Sequence, residues 1–139
     1  MDLRIRRFPA GTRTASDAAQ AIGVEVGQIV KSLVFVAGAE TLIVLCSGAT
    51  RVDERKLAAA VGAAAVRRAT ASEAKDATGF AIGGVPPFGH ANACRVLCDR
   101  HLLDFAEVWA ASGMPDAVFP IAPAELVRLS GASVGEFSA

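Results

Sequence analysis

The chain has 139 residues, 53% hydrophobic and 20% charged, which is the size of one domain and far from the polar, highly charged regime of disordered chains. Its 14 basic and 14 acidic side chains cancel, which excludes the global positive field of a protein that grips a long stretch of nucleic-acid backbone and leaves a local contact with the end of one. No apolar run approaches the roughly 20 residues of a membrane helix, and "MDLRIRRFPAGTR" lacks the apolar segment of a signal peptide, so a cytoplasmic protein without membrane contact is expected.

No repeat, low-complexity tract or linker interrupts the chain, and residues 1–139 read as a single domain. "TASDAAQAIG" predicts a short helix that opens at Thr14, has Asp17 three residues on, and stops at Gly23. "QIVKSLVFVAGAETLIVLCSG" gives two runs rich in Val, Ile, Leu and Phe around "AGAE", the pattern of a hairpin. Its first strand alternates Ile29, Lys31, Leu33 and Phe35 with Val30, Ser32, Val34 and Val36, so a lysine stands in line with core-like residues. "DERKLAAAVG" predicts a helix capped by Asp53 and stopped by Gly62, "AAVRRA" a strand, and "SEAKDATG" a helix capped by Ser72 and ended by Gly79. "CRVLCD" reads as a strand ending at Asp99, "EVWAAS" and "AVFPIA" as strands around the turn "GMPD", and "PAELVRLSG" as a final helix with proline in its first turn and glycine after its last. Interleaved strands, helices and hairpins predict an α/β (α+β) domain built on a mixed sheet flanked by helices.

Three cysteines without framework spacing fit a reducing compartment and core packing. On one strand, Cys94 and Cys98 would stand roughly 13 Å apart, too far to share a metal ion.

Lys31 is the first candidate for chemistry. It either reaches solvent at the sheet rim or lines a pocket that binds a phosphate or an ester oxygen gaining charge as water attacks. The second is "GGVPPFGH", where Gly83, Gly84 and Gly89 relax the backbone while Pro86 and Pro87 fix φ and withhold N–H groups. Such a stiff loop either connects helix to strand or presents main-chain groups to a ligand. His90 closes it, as a structural group or a proton-transfer group. Asp99 either orients a ligand or caps the start of "RHLLDF". There is no P-loop, H-E-x-x-H, zinc spacing or dinucleotide fingerprint, and no cofactor is called for.

"IVKSLVF", "GFAIGGVPPFGH" and "FAEVWAASGMPDAVFPIAPAELVRLSGA", in that order from about Thr14 to Val134, resemble the YbaK/ProX family, relatives of the editing domain of bacterial prolyl-tRNA synthetases. The resemblance implies a mixed, curved sheet and hydrolysis of the ester joining a wrong amino acid to the 3′-terminal adenosine of tRNA. It implies that Lys31 is the active-site lysine, followed by Ser32. It also implies that Gly83, Gly84, Val85, Pro86 and Pro87 form the GxxxP loop of the aminoacyl pocket, continued by Phe88, Gly89 and His90, with Ser112 and Gly113 closing it. The expected substrates are small amino acids, Ala, Ser, Thr, Cys or 2-aminobutyrate, on tRNA(Pro). The expected partners are the tRNA acceptor end and prolyl-tRNA synthetase or another synthetase. Pro86 stands where many relatives carry Ser or Thr, and "PFGH" resembles the branch with broader or non-cysteine specificity more than the cysteinyl-tRNA(Pro) branch. The competing reading is a non-catalytic module that binds an amino acid or an acceptor end. Strand-edge pairing would allow a homodimer.

Overall fold

The computed structural model describes residues 6–7, 15–80, 85–87, 89–90, 94–111 and 117–139. In chain order its elements are β1 (Arg6–Arg7), α1 (Ala15–Ile22), β2 (Val30–Ala37), β3 (Glu40–Ser47), α2 (Glu54–Val61), β4 (Arg67–Arg68), α3 (Ala71–Thr78), β5 (Arg95–Asp99), β6 (Val108–Ala111), β7 (Ala117–Ile121), α4 (Pro123–Ser130) and β8 (Ser133–Gly135), with short 3₁₀ turns at Val26–Gln28 and Arg100–Asp104. The order confirms a mixed α/β domain.

The expected hairpin is the centre. β2 and β3 pair antiparallel from Val30↔Ser47 to Ala37↔Glu40, and Gly38 at φ +62° makes the turn a side chain would resist. β5 and then β8 add in parallel beyond β3, while the two residues of β4 pair antiparallel with Phe35 and Val36 of β2, giving the order β4-β2-β3-β5-β8. The sequence suggested one sheet. A second, antiparallel one is present, in the order β1-β7-β6, and an isolated parallel bridge from Ile29 to Trp109 joins the two where β2 begins.

Side-chain alternation sorts the core into layers. Val30, Ile43, Leu45 and Cys98 face Val108, Ala110, Phe119 and Ile121 of the second sheet, with Leu102 and Leu126 filling between. On the opposite face Phe35, Leu42, Val44 and Leu97 pack under Leu57 and Ala58 of α2 and against Phe137. α1 lays Ala18 and Ala19 on Ile29 and Trp109, and α3 brings Ala74 to Val34 and Val85.

The predicted helices occur. Asp53 caps α2 by accepting from the N–H groups of Arg55 and Lys56, and Gly62 ends it in the left-handed region. One cap differs. α3 is capped by Thr70, not Ser72, because Thr70 places Glu73 at the position that can return a hydrogen bond to the Thr70 N–H. The predicted cap at Thr14 and the "GMPD" turn lie outside the described residues. Among the described residues no helix is long and apolar enough to cross a membrane.

Candidate active site

The site begins at the outer edge of β2. The outer edge of β2 is covered at Phe35–Val36 by β4 and at Ile29 by Trp109. Among the described residues no strand pairs with the stretch between. The Ala69 N–H donates to the Val34 carbonyl at 2.9 Å across this edge. Antiparallel alternation therefore directs the main-chain N–H and C=O of Ser32 to the same edge.

Lys31 and Ser32 project to opposite faces of β2. Lys31 shares its face with Leu33 and Phe35, half-buried, and its Nζ donates to the Thr50 carbonyl at 2.6 Å. The turn after β3 fixes that carbonyl. The Thr50 N–H donates to the Ser47 carbonyl at 2.9 Å, and the Ser47 hydroxyl donates to the Gly27 carbonyl at 2.8 Å while accepting from the Ala49 N–H. Lys31 lines a cavity of about 430 Å³ with Leu33, Phe35, Thr50, Arg51, Glu54 and Arg68. The Arg68 guanidinium lies 5.5 Å from the centre of the Phe35 ring, within range of a cation–π attraction.

Ser32 faces the other way, toward Val30 and Val34. Its hydroxyl is buried and, among the described residues, has no hydrogen-bond partner, an arrangement that costs about 1–3 kcal/mol unless a ligand completes it. The glycine-proline loop is on this face. Val85, 2% exposed, packs on Val34 and Ala74, and Pro86 and Pro87 are buried. His90 Nε2 is 2.7 Å from the Pro86 carbonyl, and since a carbonyl only accepts, Nε2 carries the proton and Nδ1 is left to accept when the ring is neutral. Gly89 at φ +80° turns the chain to make this brace. Gly83, Gly84, Phe88, Ser112 and Gly113 lie outside the described residues.

Asp99 is not at the site. It is 1% exposed, and its carboxylate accepts from the Phe137 N–H at 2.8 Å, the Ser138 hydroxyl at 3.0 Å and the His101 N–H at 3.2 Å. Of the two readings of this residue, capping is the one its hydrogen bonds satisfy, and Asp99 is outside the lining of the Lys31 cavity.

Arg51, Thr50 and Arg68 were not singled out from sequence. Arg68 was within reach, because its pairing with Phe35 sets it on the Lys31 face, but the pairing partner of "VRRA" cannot be read from local periodicity. The cysteines are all free. Burial pushes the Cys46 thiol up to about 11, against the opposing pull of the Lys31 charge, and the Cys98 thiol up to about 12, with Asp99 adding to the rise.

A strand-borne lysine beside a cavity that two arginines also line lies on one face of β2, and a proline-stiffened loop packs on the other. The chain belongs to the aminoacyl-tRNA editing domain family, whose model matches residues 9–129. It is similar to the uncharacterized protein YwhH of Bacillus subtilis, 32% identical over 131 residues that cover 94% of this chain and 83% of that one. It is also similar to part of the proline–tRNA ligase of Limosilactobacillus fermentum, 32% identical over 102 residues, 70% of this chain and 18% of the ligase. Its fold superposes with a TM-score of 0.93 on the crystal structure of a protein proposed as a trans-editing enzyme for prolyl tRNA synthetase, at 49% identity over 99% of this chain and 87% of that one.

Proposed function

We propose that this protein is an aminoacyl-tRNA deacylase acting in trans in the cytoplasm. It hydrolyses the ester that links a small amino acid, Ala, Ser, Thr, Cys or 2-aminobutyrate, to the terminal adenosine of tRNA(Pro). A synthetase partner would supply further tRNA selection, because the neutral chain carries no extended positive field. The observation that carries this reading is the division of labour across β2, with Lys31 on one face and the unpartnered Ser32 hydroxyl and the Val85–Pro87 loop on the other.

In this reading the aminoacyl group lies at the β2 edge beside Ser32. The Ser32 hydroxyl is the group there that needs a partner, and the Val85–Pro87 loop forms the opposing wall. The Lys31 ammonium points to the other face, which suits the terminal phosphate better than the ester oxygen. Water adds to the ester carbonyl, the bond to the ribose oxygen breaks, and that oxygen takes a proton, releasing the amino acid and the free 3′ end. The vicinal ribose hydroxyl relays the proton, so positioning supplies most of the rate. A sieve of this kind is useful because a methyl or hydroxyl difference is worth only about 1–3 kcal/mol to a single pocket.

Deacylation of tRNAs mischarged with each of these amino acids tests the reading. Rapid hydrolysis of one or two is expected, with Lys31→Ala lowering kcat/KM about 10- to 100-fold, the range of a lost charge-assisted hydrogen bond. A loss mainly in KM fits a phosphate contact, and a loss mainly in kcat would move Lys31 to the oxyanion. No turnover on any of them by a folded protein would overturn the deacylase and favour a binding module.

A further inference from the structure

The cavity beside Lys31 holds more positive charge than one ammonium. Arg51 and Arg68 also line it, against the single carboxylate of Glu54. Elsewhere Arg67 is matched to Glu73, Arg95 to Glu40, Arg100 to Glu136 and Arg128 to Glu125, while the exposed Arg55, outside the cavity lining, is in no ion pair among the described residues. Among the described residues neither Arg51 nor Arg68 is in an ion pair, and the nearest acid to Arg51 in sequence, Asp53, is committed to the cap of α2. The contrast is sharpest between neighbours. Arg67 turns to a two-point contact with Glu73 at 2.8 and 2.7 Å, while Arg68 projects to the opposite face, over Phe35. Lys31 donates only to a neutral carbonyl, so its charge also stands uncompensated.

We infer that Arg51, Arg68 and Lys31 form a seat for the phosphodiester backbone of an RNA strand, extending the site beyond the terminal nucleotide. The inference rests on the editing reading for the identity of that RNA, the acceptor strand. Leu33 and Phe35 give the cavity an apolar floor, which strengthens ionic contacts above it, and the arginine fork matches phosphate oxygens in a way a point charge does not. Lys31 and Phe35 stand four residues apart on one strand, roughly 13 Å by strand rise, and Arg68 is paired beside Phe35. That span is longer than one free phosphate ion and reaches over more than one phosphate of a strand. The seat is local, consistent with a chain of no net charge.

The test is binding of an uncharged RNA hairpin that copies an acceptor stem ending in CCA, followed by fluorescence anisotropy over a salt series, for wild type, Arg51→Gln, Arg68→Gln and Arg128→Gln. Unfolding midpoints check the fold of each variant, and Arg51→Lys and Arg68→Lys restore charge where folding suffers. The expected result is binding weakened about 5- to 20-fold by each cavity substitution. The slope of log K against log salt should fall by about 0.7 for each lost contact, with Arg128→Gln unchanged. Unchanged binding in both cavity variants, or an equal loss in Arg128→Gln, overturns the inference. Parallel titrations with inorganic phosphate and AMP separate the sources. If the variants lose those ligands and keep the RNA, the seat is for a free anion and the RNA proposal fails. Because the RNA carries no aminoacyl ester, the outcome is independent of turnover. Weakened binding in a protein that hydrolyses nothing would retain the seat and remove the deacylase.

Discussion

Asp99 joins three parts of the chain through one buried carboxylate. It caps the 3₁₀ turn that follows β5 through the His101 N–H, and it holds the C-terminal segment through Phe137 and Ser138. That segment in turn pairs with the cavity wall: the Asp53 N–H donates to the Phe137 carbonyl at 2.7 Å, the Ala139 N–H to the Arg51 carbonyl at 2.8 Å, and Val52 bridges Ser138. Asp99 is thus a positioning residue for Arg51, two hydrogen bonds removed from it. Asp99→Ala strands the buried Phe137 N–H and is expected to cost roughly 2–4 kcal/mol, read as a lower urea midpoint. Asp99→Asn, which keeps one acceptor, should recover part of that. An unchanged midpoint in Asp99→Ala would remove the carboxylate from this role. Lys31 was legible in the sequence because a cation inside an Ile, Val, Leu and Phe run breaks the chemistry of its own strand. Arg51 and Arg68 were not, because nothing within their own segments distinguishes a cation that faces a cavity from one that faces water.

At the scale of elements, the ends of the helices were more readable than their partners. Asp53 and Gly62 bound α2 and Gly131 ends α4, each by local chemistry that a short window contains. The start of α3 shows the limit of choosing a cap by residue type alone. Thr70 and Ser72 are both acceptable hydroxyls, but only Thr70 has a glutamate three residues on, and Glu73 also takes the Arg67 guanidinium. That contact, with the Thr70 N–H, holds the Glu73 carboxyl down to about 2. Thr70→Ala is expected to lower stability by about 1 kcal/mol, and Ser72→Ala to leave it nearly unchanged, in thermal unfolding. Equal effects would mean that the helix begins elsewhere.

Over the whole molecule, the division into two sheets was not legible, because β1 meets β7 across most of the chain and the two-residue strands have no periodicity to read. What the division creates is a core closed on both sides of β3, where every side chain from Leu42 to Ser47 is buried. Two thiols in this region bear a consequence for alkaline stability. The folded chain keeps protons on Cys46 up to about 11 and on Cys98 up to about 12, whereas the unfolded chain releases them near 9. Between those values the unfolded state binds fewer protons, so stability is full below about pH 9 and declines as pH rises toward 11–12. Urea midpoints from pH 8 to 11 should be level at first and then fall, and Cys46→Ala should flatten part of the decline. A midpoint that stays level to pH 11 would contradict the burial of these thiols.

The opposed directions of Lys31 and Ser32 also bear on how such a domain diversifies. On the proposed reading two adjacent residues of one strand serve two surfaces, so substitutions on the Ser32 face would re-sort the amino acids admitted while the Lys31 face kept its contact with the RNA. A change of a single residue's length within β2 would do the reverse, exchanging the faces and disabling both at once. On that reading this strand would tolerate replacement better than insertion, and an amino-acid preference could be redesigned here without rebuilding the proposed RNA seat.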